Sequence, residues 1–87
     1  MKVYSISESV YMRYSKDGRC SVIVNAATGT ILMLNRTCTA ICGLIKETPR
    51  RIDEIISLLA KDVELPENAR QDIQKMLDVL VEKDILE

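Results

Sequence analysis

The residue types that most often carry out catalysis are scarce in this chain. Its 87 residues include no histidine, the usual general base and metal ligand of proteins. Three cysteines remain, Cys20, Cys38 and Cys42. Cys38 and Cys42 are four positions apart and would share a helix face, but a structural zinc ion held there would need a carboxylate or a second chain. We interpret these cysteines as small core residues, and we predict neither a catalytic centre nor a bound metal.

Other kinds of chemistry are equally poorly represented. The glycines Gly18, Gly29 and Gly43 are dispersed and form no phosphate-binding loop. The carboxylates are spread over predicted helix surfaces without a converging acid–base pair. Twelve basic and thirteen acidic residues give a net charge of −1, which does not favour a partner held through its phosphates. We therefore expect a protein that is not an enzyme, needs no cofactor and binds no nucleic acid.

Segments for export or membrane insertion are not apparent in the sequence. The first residues lack the apolar stretch of a signal peptide, and no run approaches the roughly 18 apolar residues of a membrane span. Three cysteines also form no even disulfide framework. We expect a cytoplasmic protein with free thiols and no membrane partner, folded as a single domain over residues 1–87.

The elements that must position any site begin with three short strands. Residues 10–14, 20–25 and 30–34 have strand composition, after a lead-in or short first strand over residues 1–8. The Asp17-Gly18 pair and Gly29 suit tight turns, so the three strands should be antiparallel. Alternation in the second strand predicts an inward face. That face consists of Cys20, Val22 and Val24.

The third strand has no such alternation. Ile31, Leu32, Met33 and Leu34 are all apolar, so both faces of this strand need cover. One face can pack on the protein's own helices. The other face is available for something that the protein binds.

Helical periodicity begins directly after the third strand. Asn35 suits the N-cap of a helix over about 36–46, and Thr48-Pro49 suits the start of a second helix that ends near Asp62. A connection over residues 63–65 precedes a third helix over about 67–83, and Ile85-Leu86 should cover the edge of the core. The fold class is α+β, a three-stranded antiparallel sheet followed by three helices. This order also describes a winged helix-turn-helix, which admits nucleic-acid and peptide binding.

At this point the chain resembles a known family. The segment N-A-A-T-G-T-I-L-M-L-N-R-T-C-T-A-I over residues 25–41 resembles the signature of PqqD-like proteins, also called RiPP recognition elements. The resemblance covers about residues 9–87. Cys38 stands where Ala is common, and Asp84 stands where Gly is common. The matching positions are Thr28-Gly29, Leu34-Asn35, Thr37, Ile41, Glu54-Ile55, Asp72-Ile73, Leu77 and Leu80.

The resemblance implies a non-catalytic adaptor, or peptide chaperone, that binds the leader segment of a ribosomally synthesised precursor peptide. Similar proteins add the leader as an antiparallel strand beside the third strand, with its apolar side chains in the groove next to the third helix. They present the precursor to a leader peptidase, a cyclase or a radical-SAM maturase. A short free-standing domain is most similar to the leader-binding subunits of lasso-peptide systems. Carried over by position, the binding residues are Thr30, Ile31, Leu32, Met33, Leu34, Arg70, Ile73, Gln74, Leu77 and Val81.

Two alternatives stay open from the residues alone. One is a winged-helix regulator that binds nucleic acid, although the predicted second and third helices mix their basic residues with carboxylates. The other is a purely structural interaction domain or a subunit of a larger enzyme. Ile73 and Leu77 likewise have two interpretations, as groove wall or as ordinary core packing.

Overall fold

A computed structural model describes residues 2–62 and 64–87. Two residues lie outside the described ranges: Met1, the first residue of the predicted lead-in over residues 1–8, and Val63, the first residue of the predicted connection over residues 63–65. The strands are antiparallel and lie in the order β1-β2-β3, which confirms the predicted α+β fold; the likeness to a winged helix-turn-helix stays a prediction. The elements are β1 (Val10–Tyr14), β2 (Ser21–Asn25), β3 (Thr30–Leu34), α1 (Arg36–Glu47), α2 (Ile52–Asp62) and α3 (Ala69–Glu82).

The inward face of β2 is the opposite of the predicted one. The residues predicted to face inward were Cys20, Val22 and Val24. The buried residues are instead Ser21, Ile23 and Asn25. Two of these are polar, but the Ser21 hydroxyl lies 2.9 Å from the Thr39 hydroxyl, and the Asn25 side chain both donates to the Asp84 carbonyl and accepts from the Ala27 N–H, so their burial costs little. A shift by one residue exchanges the two faces of a strand, which is why the pattern misled the prediction.

The start of α2 also differs from the prediction. Thr48 is the C-cap of α1 in an extended conformation, and α2 begins only at Ile52. Between them, Arg50 forms an antiparallel bridge with Tyr4, whose N–H donates to the Arg50 carbonyl at 2.7 Å. This pairing with the N-terminal segment holds the backbone after Pro49 extended and delays the helix.

The core is aliphatic, as a chain without Phe or Trp requires. It lies between the inner face of the sheet and the three helices. Ile85 and Leu86 are buried, which confirms their predicted role in closing the core. The fully buried side chains include Ile23, Ile41, Ile45, Ile55, Leu77 and Ile85.

Candidate functional site

One edge of the sheet is open. β3 has β2 as its only strand partner among residues 2–62 and 64–87. On the other side of β2, the Ser15 N–H donates to the Cys20 carbonyl and the Ala26 N–H donates to the Ser9 carbonyl, both at 2.9 Å. Ladder bonds alternate along an antiparallel strand, so the even-numbered residues of β2 bond towards β1 and the odd-numbered ones towards β3.

The strand register then identifies the free backbone groups of β3. Ile23 of β2 is paired with Leu32, so the N–H and C=O of Leu32 point into the sheet. Ile31 and Met33, on either side of it, direct their N–H and C=O groups to the open edge. An edge with unpaired groups of this kind is a template for another extended chain.

The side chains of the same strand divide into a covered and an uncovered set. Leu34 is buried, and Leu32 packs partly against the core. Ile31 and Met33 lie on the outer face of the sheet and are 66% and 87% exposed. Only one of the two apolar faces seen in the sequence is therefore covered by the protein itself.

We call the surface between this edge and α3 the groove. At one end, its head, a cavity of about 560 Å³ lies between the start of α1, the connection that leads into α3 and the first turns of α3, with Asn35, Asp72 and Met76 in its wall. At the far end, the Asn25 side chain donates to the Asp84 carbonyl at 2.6 Å, which holds the end of α3 near the turn before β3. The helix therefore runs alongside β3 in the opposite direction.

The flank of α3 that continues from this cavity is partly apolar. Met76 lines the cavity and is partly buried. Val79 and Lys83 follow at helical spacing on the same flank, and the Val79 side chain is 49% exposed. We call this flank, defined by Asp72, Met76, Val79 and Lys83, the groove flank of α3.

Comparisons with known proteins agree with this architecture. Residues 20–86, which contain β2, β3 and all three helices, match the family described as coenzyme PQQ synthesis protein D (PqqD). The chain belongs to the PqqD family. No curated protein matches this PqqD-family chain.

Two solved structures are similar to this PqqD-family chain throughout. One is described as TbiB1 in complex with the TbiA(beta) leader peptide; its TM-score is 0.83 at 24% identity, over 95% of this chain and 94% of that one. The other is described as lasso peptide synthetase B1 complexed with the leader peptide; its TM-score is 0.77 at 16% identity, over 97% and 96%. At these identities the likeness shows a shared fold.

Several predicted site residues of this PqqD-family chain lie on the other flank of α3. Arg70 donates a hydrogen bond to Asp53 of α2 and forms an ion pair with it. Gln74 donates to the Tyr4 hydroxyl at 2.9 Å, in the N-terminal segment. Val81 follows these two residues at helical spacing. The structure thus directs this flank towards α2 and the N-terminus, away from the groove.

The remaining predicted helix residues face the core. Leu77 is fully buried, and Ile73 is buried but also lines the cavity at the head of the groove. Met76, predicted as part of the broad apolar face of α3, also lines the cavity at the head of the groove. Val79 has two interpretations from the sequence, as an ordinary surface residue or as a groove residue. The signal that favours the groove is the position of Val79 itself, an apolar residue outside the main stripe of the helix.

The cysteines of this PqqD-family chain form no reactive cluster. Burial raises the pKa of the Cys42 thiol to about 12, with a further contribution from Cys38, and burial also raises the pKa of Cys38. Cys20 is exposed. Within residues 2–62 and 64–87, no group of three or more His, Cys, Asp or Glu side chains is placed to hold a metal ion. Over the same residues, no helix has both the length and the apolar character needed to span a bilayer.

Proposed function

We propose that this PqqD-family protein is a non-catalytic adaptor, which binds the leader segment of a ribosomally synthesised precursor peptide as an extra antiparallel strand on β3. The open edge of β3 carries this proposal, because the free backbone groups of Ile31 and Met33 lie next to a groove. The two similar structures support it, since TbiB1 and lasso peptide synthetase B1 are both described with a leader peptide bound.

The added strand has two kinds of contact available to it. Its backbone bonds to the edge set the register, and its side chains alternate between the two faces of the sheet. Side chains on the inner face enter the groove beside Leu32, Met76 and Val79. Those on the outer face lie next to Ile31 and Met33, whose apolar surface they cover. Each apolar side chain that becomes fully buried on binding contributes about 1.5–3 kcal/mol to the binding free energy.

The proposed site differs from the sequence-based one on the helix side. It keeps the whole edge Thr30–Leu34 and Ile73, which lines the head of the groove. It takes Met76 and Val79 as the helix wall. Arg70, Gln74, Leu77 and Val81 are left out, because they contact α2, the N-terminal segment or the core.

The bound precursor is then presented to a modifying enzyme in the cytoplasm, where ribosomal peptides are made. The candidate enzymes are a leader peptidase, a cyclase and a radical-SAM maturase. The description of one similar structure as a lasso peptide synthetase favours the first two. The scarcity of catalytic groups in this chain is in keeping with a division of labour between binding and chemistry.

The same helix is poorly suited to nucleic acid. Asp72, Asp78 and Glu82 are exposed on α3, where a recognition helix would approach phosphates. Like charges at these positions oppose binding that depends on release of counterions.

A substitution at Met33 tests strand addition directly. The Met33 N–H points out of the sheet, so proline there removes a donor that the leader needs without removing a bond to β2. Wild type, Met33→Pro and the matched control Met33→Ala are titrated with the leader segment of the precursor encoded beside this gene. Backbone amide NMR shifts report binding and show whether each variant is folded.

We expect saturable shifts over residues 30–34 and on the groove flank of α3 in the wild type and in Met33→Ala. In Met33→Pro these shifts should be lost while the spectrum stays dispersed. Equal affinities of the two variants would contradict strand addition. A folded wild type without shifts would exclude the adaptor function for that peptide, and duplex DNA at two salt concentrations would be the next ligand to test.

A further inference from the structure

A second cavity lies along α1. It has a volume of about 650 Å³ and lies between the β1–β2 turn and the helix. Arg19, Arg36 and Lys46 contribute cationic side chains to its wall, and Ala40 and Gly43 are small residues of the helix that lines it. We call this cavity, defined by those five residues, the cationic cleft.

The charge of the cationic cleft is only partly neutralised by its surroundings. None of the ion pairs formed among residues 2–62 and 64–87 involves Arg19, Arg36 or Lys46. Glu47, the only carboxylate of the lining, is paired with Arg50 at 3.3 Å. All three cationic side chains are therefore available to an anionic ligand, on a chain whose net charge is −1.

The carboxylate of Asp17, in the turn beside the cleft, already accepts hydrogen bonds within that turn. Its Oδ1 accepts from the Ser15 hydroxyl at 2.6 Å and from the Arg19 N–H at 3.0 Å. These bonds, with a smaller contribution from the Arg36 charge, lower the pKa of Asp17. Asp17 thus remains ionised but is held in the turn, and the cleft keeps an excess of positive charge.

The cationic cleft adjoins the cavity at the head of the groove. Arg36 and Ala40 line both this cleft and the cavity at the head of the groove. Because β3 ends at Leu34, an antiparallel strand added to it begins at that end, close to Arg36. The residues that precede the strand are therefore the part of the bound chain nearest to the cleft.

We infer that the cationic cleft binds an acidic segment of the leader, located immediately N-terminal to the part that adds to β3. This inference rests on the proposed function and extends it with a second recognition element. Apolar side chains and backbone bonds define the strand, and carboxylates before it are held by Arg19, Arg36 and Lys46. The Lys46 ammonium lies 6.0 Å from the centre of the Tyr14 ring, which places its charge at the cleft wall.

The test compares three forms of one fluorescent peptide that contains only the part of the leader that adds to β3: untailed, with a run of Glu at its N-terminus, and with the same run at its C-terminus. Binding is measured by anisotropy to the wild type, Arg19→Glu and Lys46→Glu. Lys61→Glu is the matched control, since Lys61 is an exposed lysine of α2 that lines neither cavity.

The N-terminal tail should tighten binding, and each reversal in the cleft should weaken binding of that tailed peptide by about threefold, in the range of an exposed ion pair. Raising the salt concentration should reduce the gain in affinity that the N-terminal tail provides. The untailed peptide should bind the wild type and Lys46→Glu equally well, because its contacts lie in the groove and on the edge.

Other outcomes would overturn the inference. An equal gain from the C-terminal tail, or an equal loss in Lys61→Glu, would indicate general charge attraction. If the untailed peptide binds and the N-terminal tail adds nothing, this inference fails while the proposed function stands; if the untailed peptide does not bind, both fail. Tighter binding of a short DNA duplex, abolished by Arg19→Glu, would assign the cleft to nucleic acid instead.

Discussion

The side-chain amide of Asn25 donates a 2.6 Å hydrogen bond to the backbone carbonyl of Asp84 and so joins the end of β2 to the end of α3. The oxygen of the same amide accepts from the Ser9 hydroxyl at 2.8 Å and from the Ala27 N–H at 2.9 Å. One buried residue thereby fixes both the turn that leads into β3 and the far end of the groove.

Replacement of Asn25 by alanine should destabilise the protein. It removes the hydrogen bonds of the amide to the Asp84 carbonyl, the Ala27 N–H and the Ser9 hydroxyl, which together contribute about 1–3 kcal/mol to the free energy of unfolding. Urea denaturation measures this loss. The control Ser9→Ala removes a single bond and should cost less, about 1 kcal/mol. A smaller loss for Asn25→Ala than for Ser9→Ala would contradict the central position of the amide.

Asp84 has a φ of 62°, in the left-handed region that favours glycine. An L-residue with this φ destabilises the folded state by about 1–2 kcal/mol, and glycine avoids this strain. The greater conformational freedom of glycine in the unfolded chain cancels about 0.4–1 kcal/mol of that gain in stability. We expect Asp84→Gly to be at least as stable as the wild type, and Asp84→Ala to be less stable than Asp84→Gly. The midpoints of urea unfolding compare the three proteins. A more stable alanine variant would argue against a strained backbone at this position.

The two flanks of α3 should differ in their effect on leader binding. Val79→Asp introduces a charge into the groove and should weaken binding by about tenfold or more, since a buried apolar side chain contributes about 1.5–3 kcal/mol. Arg70→Glu breaks the exposed ion pair with Asp53, which costs at most about 1 kcal/mol of stability, and should leave the dissociation constant unchanged. Calorimetric titration with the leader segment measures both. The opposite ranking would place the binding wall on the flank of Arg70.

The cysteines should react with a thiol reagent in a fixed order. Because burial raises the pKa of Cys42 to about 12, only about one molecule in ten thousand carries its thiolate at pH 8, and this fraction rises tenfold with each further pH unit. Cys20 is exposed and should react first in the native protein. In urea all three thiols should react together. Stopped-flow labelling of Cys20→Ser provides the check, since a fast phase that persists in this variant would contradict the assignment.

The local features of this fold could be predicted from the sequence because they depend on neighbours along the chain. The change of apolar period at residue 35 separates sheet from helices, and the Asn35 side chain accepts the Cys38 N–H at 2.9 Å as the N-cap that its type indicated. Gly18 and Gly29 have positive φ at the two predicted turns. The unbroken apolar run of β3 likewise indicated a strand with one apolar face that the protein itself does not cover.

The features that the sequence left undecided all depend on which segments meet in space. The inner face of β2 is chosen by polar partners on α1 and at the end of α3, which make the burial of Ser21 and Asn25 acceptable. The choice between the flanks of α3 has the same origin. The apolar stripe of α3 has two flanks of similar composition. Tyr4 covers the flank that carries Gln74, so the opposite flank faces the groove. Periodicity along the chain determined the elements, whereas packing between segments distant in sequence decided which surfaces remain open for binding.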